Sequence, residues 1–269
     1  MSPSILWVVA TINVLTIGII HGANDLYLLA KTVNSLQKTS FILLFTSYVL
    51  LVVVMVFGLY KLPIWSLLLF VLISAFHFGE QQWHLSSYIS SLKLNLFYFA
   101  YGLFLFSLLF YFHLDQTSST IYEIASIQLP STVFIFLLTF SGSCTLILLL
   151  FNFKQLKDKL LFQFFALILF MILFKTTSLL WSFSVYFVLW HSLPSLHEQA
   201  KLLYPSNKKP ITKFVRMALP YWLLAMVGFA VAIYFFSEST FSLVSLFFAF
   251  LAAITIPHVV IIFWMHQKK

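Results

Sequence analysis

Uninterrupted apolar runs, each roughly 20 residues long and set apart by short polar breaks, recur from one end of this chain to the other. A run of that length crosses the hydrocarbon core of a bilayer as an α-helix. In lipid the backbone must satisfy its own hydrogen bonds, which leaves helices and closed barrels as spanning structures. Barrel strands would alternate apolar and polar residues, whereas these runs are continuous. Composition closes the case against a water-soluble domain. Hydrophobic residues make up 62% of the 269 positions and charged residues 8%, with 33 Phe, against about half and a quarter in soluble domains. The expected fold is an all-α, polytopic integral membrane bundle forming a single transmembrane domain over residues 1–269.

The runs divide into nine spans: 5–30, 41–60, 64–84, 94–112, 131–153, 160–175, 178–199, 217–236 and 243–266. Only Lys175, Thr176 and Thr177 separate the sixth from the seventh. The first lacks a basic leader and a small-residue cleavage site, so it reads as a retained span, not a signal peptide. Placing the N-terminus outside puts 13 of the 15 basic residues on the inner face, and only Lys61 and Lys175 fall outside. Asp115, Glu123 and Glu238 then lie in outer loops. The positive-inside rule gives an N-out, C-in protein, expected in the inner (cytoplasmic) membrane of a cell.

The net charge of +8 is explained by those inner loops. No long basic run points to nucleic acid, and none is expected as a partner. Cys144 is the only cysteine, so no intrachain disulfide forms; it reads as a packed helix residue.

Histidine is where chemistry appears. His21, His77, His191 and His258 fall in spans one, three, seven and nine, which all run from outside to inside. Each lies about seven to nine residues before its span's inner end, a depth of roughly 10–14 Å at 1.5 Å per residue. Four imidazoles at one depth can converge in the bundle. Polar groups in lipid are costly and mark sites facing the bundle interior, and neutral imidazole is the commonest metal ligand. A lone histidine in a span is most often a hydrogen-bonded packing residue; the matched depth sets these four apart. Asp25 follows His21 by four residues and Glu80 follows His77 by three, each on its histidine's helical face, where a carboxylate would orient a ligand ring. His197, six residues after His191 with Pro194 between them, stands behind the four as a further ligand candidate. His84 is close to the interface, and His113 and His266 read as solvated.

An all-histidine set suits iron, copper, zinc or nickel, and haem with paired axial histidines stays open. The membrane setting favours an apolar substrate entering sideways. Residue chemistry carries the reading no further than a polytopic helical protein with a buried histidine site.

The segments His21-Gly22-Ala23-Asn24-Asp25, Phe76-His77-Phe78-Gly79-Glu80, Trp190-His191-Ser192 and Pro257-His258 together resemble the Brp/Blh family of β-carotene 15,15′-dioxygenases. The resemblance runs from the first span to the ninth. It implies a membrane enzyme that splits the central double bond of β-carotene with O₂ to give two all-trans-retinal. It also implies a non-haem Fe(II) ion held by His21, His77, His191 and His258, with Asp25 orienting His21 and Glu80 orienting His77. Retinal would then serve a microbial rhodopsin. The chain departs from the family pattern at Leu26 and Ser195, where a further histidine is common. Two rival readings use the same histidines: a non-catalytic membrane haem or electron-transfer protein, and a transporter or carotenoid-binding partner of a rhodopsin.

Overall fold

A computed structural model describes residues 3–32, 38–83, 91–236 and 242–266. The described residues form helices and contain no strand. In chain order these are α1 (Pro3–Asn13), α2 (Asp25–Thr32), α3 (Lys38–Lys61), α4 (Pro63–Gln82), α5 (Leu92–Phe112), α6 (Leu114–Ala125), α7 (Ser131–Phe151), α8 (Phe153–Thr176), α9 (Leu179–Val185), α10 (Leu193–Leu203), α11 (Pro210–Phe236) and α12 (Leu243–His266). A π-helical turn, Val14–Gly18, continues α1, and a second, Tyr186–Ser192, joins α9 to α10. Among the described residues eight helical stretches are long and apolar enough to cross a membrane, the joined α9–α10 unit counting as one. The protein is an all-α, polytopic membrane bundle.

The sixth and seventh expected spans separate where the sequence places the break, α8 ending at Thr176 and α9 opening at Leu179. The first expected span is corrected. It is not one helix over 5–30: α1 and its π turn end at Gly18, and residues 21–24 form a turn before α2. Gly22 and Asn24 both lie in that turn, and both are weak helix formers.

A broken helix in lipid survives only if side chains take up the freed backbone groups. The Trp222 indole donates to the Leu15 carbonyl at 2.6 Å, and the Asn24 amide donates to the Phe214 carbonyl at 2.8 Å. Both donors to this segment's surroundings tie it to α11, and Asn24 is fully buried.

The helix that carries His77 is held by a close crossing. A Cβ on Gly79 would stand 1.9 Å from the Tyr98 carbonyl oxygen, and one on Gly102 would stand 1.8 Å from that of Ala75. The α4 and α5 backbones therefore touch, as small residues permit in membrane bundles. Phe97, Leu94 and Leu105 of α5 are buried in the main apolar core.

Helix α6 is a short element outside the long apolar stretches. Its Glu123 carboxylate accepts from the Ser242 backbone N–H at 2.9 Å and the Ser245 hydroxyl at 2.6 Å, which ties α6 to the N-terminus of α12. His113, expected to be solvated, is instead buried beside it. Its Nε2 shares a 3.1 Å hydrogen bond with the Ser182 hydroxyl, and burial pushes its pKa below 6.5. The ring that a hydropathy profile leaves in a loop is thus turned against α9.

Candidate metal centre

Four elements deliver four imidazoles to one point. His21 comes from the turn after the first π turn, His77 from α4, His191 from the second π turn and His258 from α12. All four are buried, none more than 6% exposed. Their rings form a closed circuit of edge-to-face neighbours. Centroids are 4.9 Å apart for His21 and His191, 5.0 Å for His191 and His77, 5.3 Å for His77 and His258, and 5.0 Å for His258 and His21. One ring nitrogen from each of His21, His191 and His258 lies within 4.8 Å of the others. His77 completes the circuit by its ring contacts.

Backbone irregularity builds this meeting. π turns recur at functional sites because the extra residue re-aims side chains, and here they precede or carry two of the four histidines. The His21 Nδ1 meets the Gly18 carbonyl at the end of the first turn. The Gln81 amide donates to the His191 carbonyl in the second at 2.7 Å. Gly22 sits close against the ring: a Cβ there would stand 3.0 Å from the His258 Nδ1, and the ring would have to give way.

The carboxylate partner differs from expectation. Asp25 does not orient His21; its two oxygens lie 2.9 and 2.8 Å from the Nδ1 of His258. The sequence argument assumed a continuous helix, in which residues four apart share a face. The turn at 21–24 breaks that register, so Asp25 faces α12 and His21 turns to a backbone carbonyl. Glu80 is half-buried one turn on from His77. His197 is exposed on α10 and apart from the circuit. His84 and the His266 side chain lie outside the described residues. Of the two departures from the family pattern, Leu26 is buried near the circuit, and the Ser195 hydroxyl accepts from the Gln199 amide at 2.9 Å.

Sequence reasoning missed Gln81. Its signal was present: an amide inside an apolar run, four residues after His77 and so on the same helical face.

The donor set fits a metal ion. With Nδ1–H of His21 and of His258 given to oxygen, each ring turns a bare Nε2 inward. Those two Nε2 atoms and the Nδ1 of His191 are buried and have no hydrogen-bond partner. Buried polar atoms are normally paired, and a cation accounts for three such lone pairs at one place. All-imidazole donors suit iron, copper, zinc or nickel equally, so the geometry fits a metal without choosing one.

The circuit opens on a cavity of about 350 Å³. Its walls are mainly apolar, from α3, α11 and α12, with Phe78 and Phe187 behind the histidines. Phe78 packs 4.3 Å from the His191 ring, and Phe187 stacks on the same ring at 5.3 Å.

No curated protein and no solved structure matches the chain. The sequence model of one family, described as beta-carotene 15,15′-dioxygenase, matches residues 12–266 and so covers all four histidines, Asp25 and the cavity walls. The chain belongs to the beta-carotene 15,15′-dioxygenase family.

Proposed function

We propose that this protein is a membrane carotenoid-cleaving dioxygenase that splits the central 15,15′ double bond of β-carotene with O₂ and releases two all-trans-retinal. One observation carries the reading: four buried imidazoles meet at the side of an apolar cavity in a chain of this family. The stoichiometry closes without a reductant. One C=C bond and one O=O bond break, and two C=O bonds form, with one oxygen atom in each aldehyde.

His21, His77, His191 and His258 would hold a ferrous ion, which when bound supplies the activation of O₂. Every other contribution comes from the chain. Asp25 and the Gly18 carbonyl fix the tautomers and angles of two ligand rings, Glu80 is assigned the same task for His77, and Gln81 steadies the backbone under His191. Phe78, Phe187 and the cavity walls exclude water and leave room for a polyene beside the imidazoles. No general acid or base is needed. We further place the protein N-out and C-in in the inner membrane, with its retinal supplied to a microbial rhodopsin.

The haem reading fits the rings less well. A haem needs two imidazoles facing each other across a flat macrocycle, whereas here four rings in mutual edge contact converge on a point.

The test is expression in bacteria that make β-carotene. The reading expects loss of orange colour and retinal by chromatography. Unchanged colour and no retinal, with the protein confirmed in membranes, would overturn it.

A further inference from the structure

The cavity beside the histidines is a slot with a recognisable build. Helix α3 lines it with Phe45, Tyr48, Val49 and Val52, and α11 with Tyr221, Leu224, Ala225 and Gly228. Each set follows the spacing i, i+3, i+4, i+7, one face of a helix. Seven residues rise about 10 Å, so the slot runs lengthwise between two helices. One end is closed by aromatic rings: Tyr221 lies 6.4 Å from Phe45 and 6.0 Å from Tyr27. Toward the opposite end, Gly228 leaves open space, with Phe250 of α12 also lining the cavity and packed on Phe229 at 4.7 Å.

Some of the lining faces outward too. Val49 is 39% exposed and Leu224 56% exposed, and Gly228 is exposed as well, although all three line the cavity. A wall residue that is also on the membrane surface marks an opening in that wall. Helices α3 and α11 are the least buried of the long apolar stretches, each at 6%.

Gly228 is the informative position. A Cβ there would meet nothing within 4 Å, unlike Gly79, where a backbone carbonyl at 1.9 Å forbids a side chain. Glycine weakens a helix interior relative to alanine, so this position bears that cost with no packing reason. Open space is what glycine leaves there.

We propose that the gap between α3 and α11 is a lateral portal from the bilayer to the histidine circuit, that a linear polyene hydrocarbon is its occupant, and that Gly228 sets its width. The identity of the occupant rests on the activity proposed above. A rigid conjugated chain loses little conformational freedom on entering a narrow slot, whereas a flexible acyl chain loses much. The apolar walls need no polar partner from it, and the slot leads it past the imidazoles.

Two measurements test this on the full chain in membranes. The first is retinal formation by Gly228→Trp, with accumulation and metal content checked against the parent. At least a tenfold loss is expected with metal content unchanged, because the new ring fills empty space without displacing backbone. Leu223→Trp, a change on the lipid side of α11, should stay near the parent. Parental activity in a Gly228→Trp protein that accumulates normally overturns the portal.

The second measurement needs no turnover. Replacing the sole cysteine by Cys144→Ser allows Gly228→Cys to be labelled with a lipid-soluble maleimide, with and without β-carotene in the membrane. A several-fold slowing by β-carotene is expected, and an equal slowing by any lipid of similar concentration, or none at all, overturns the proposal. If the parent makes no retinal while β-carotene still protects position 228, the portal stands and the proposed activity falls. If the parent makes retinal and neither readout responds, the portal falls and the activity stands.

Discussion

Asp25 and His258 are 233 residues apart in the chain, and their side chains meet with both carboxylate oxygens within 2.9 Å of one imidazole nitrogen. The pair closes the turn that follows α1 onto α12 and points the other nitrogen of His258 into the circuit. Removing such a partner typically costs 10- to 100-fold in metal affinity. Asp25→Asn should therefore lower metal affinity by roughly that factor, measured by competition with a chelator, while the protein still accumulates. Asp25→Ala should do more damage, since it leaves the ring without any acceptor.

Substitution tests the proposed ligand set against the other histidines. His21→Ala, His77→Ala, His191→Ala and His258→Ala should each reduce bound metal per chain to a small fraction of the parent. His197→Ala, on the exposed face of α10, should leave it unchanged. Elemental analysis of the purified proteins decides, and a loss with His197→Ala alone would require a different ligand set.

Gly79 should tolerate no side chain. Its Cβ would overlap the Tyr98 carbonyl at 1.9 Å, and that atom is backbone in the middle of α5, so α4 would have to move. Overpacking of this kind costs about 1–3 kcal/mol or more. Gly79→Ala should lower the thermal midpoint in detergent by several degrees and Gly79→Leu should prevent accumulation. His77 lies two residues away, so metal content should fall along with stability.

Gln81 acts on the circuit from behind. Its amide holds the carbonyl of His191 at 2.7 Å, and an unpaired buried carbonyl costs about 1–3 kcal/mol. Gln81→Leu should loosen the second π turn and weaken metal binding more than it lowers the thermal midpoint. Gln81→Asn is too short to reach and should behave like Gln81→Leu.

Glu123 gives the fold a pH dependence away from the histidines. Burial alone would raise its carboxyl, but hydrogen bonds from Ser242, Ser245 and Ser119 outweigh that and hold it below 4.5. A depressed carboxylate contributes stability that is fully present above 4.5 and lost as pH falls through the lower folded value. Thermal stability measured from neutral pH downwards should decline in that acid range, and Glu123→Gln should flatten the decline and lower the neutral-pH plateau.

The sequence by itself determined the solvent and therefore the class of fold. Apolar runs of membrane-spanning length leave no choice but helices, because lipid offers the backbone no partner, and the expected break at residues 175–177 held for the same reason. It also pointed to the four imidazoles that the fold brings together, since a histidine inside lipid is costly wherever the helix sits, and depth can be counted along a chain. Tertiary structure alone decided who pairs with whom. Asp25 was assigned to His21 by helical periodicity, and it belongs to His258 because residues 21–24 leave the helix and the register restarts. His113 was placed in water because it follows an apolar run, and it is buried, its ring meeting Ser182 of α9. The bond from Gln81 to the His191 carbonyl and the slot at Gly228 exist only through the contact, or the lack of contact, between segments far apart in the chain.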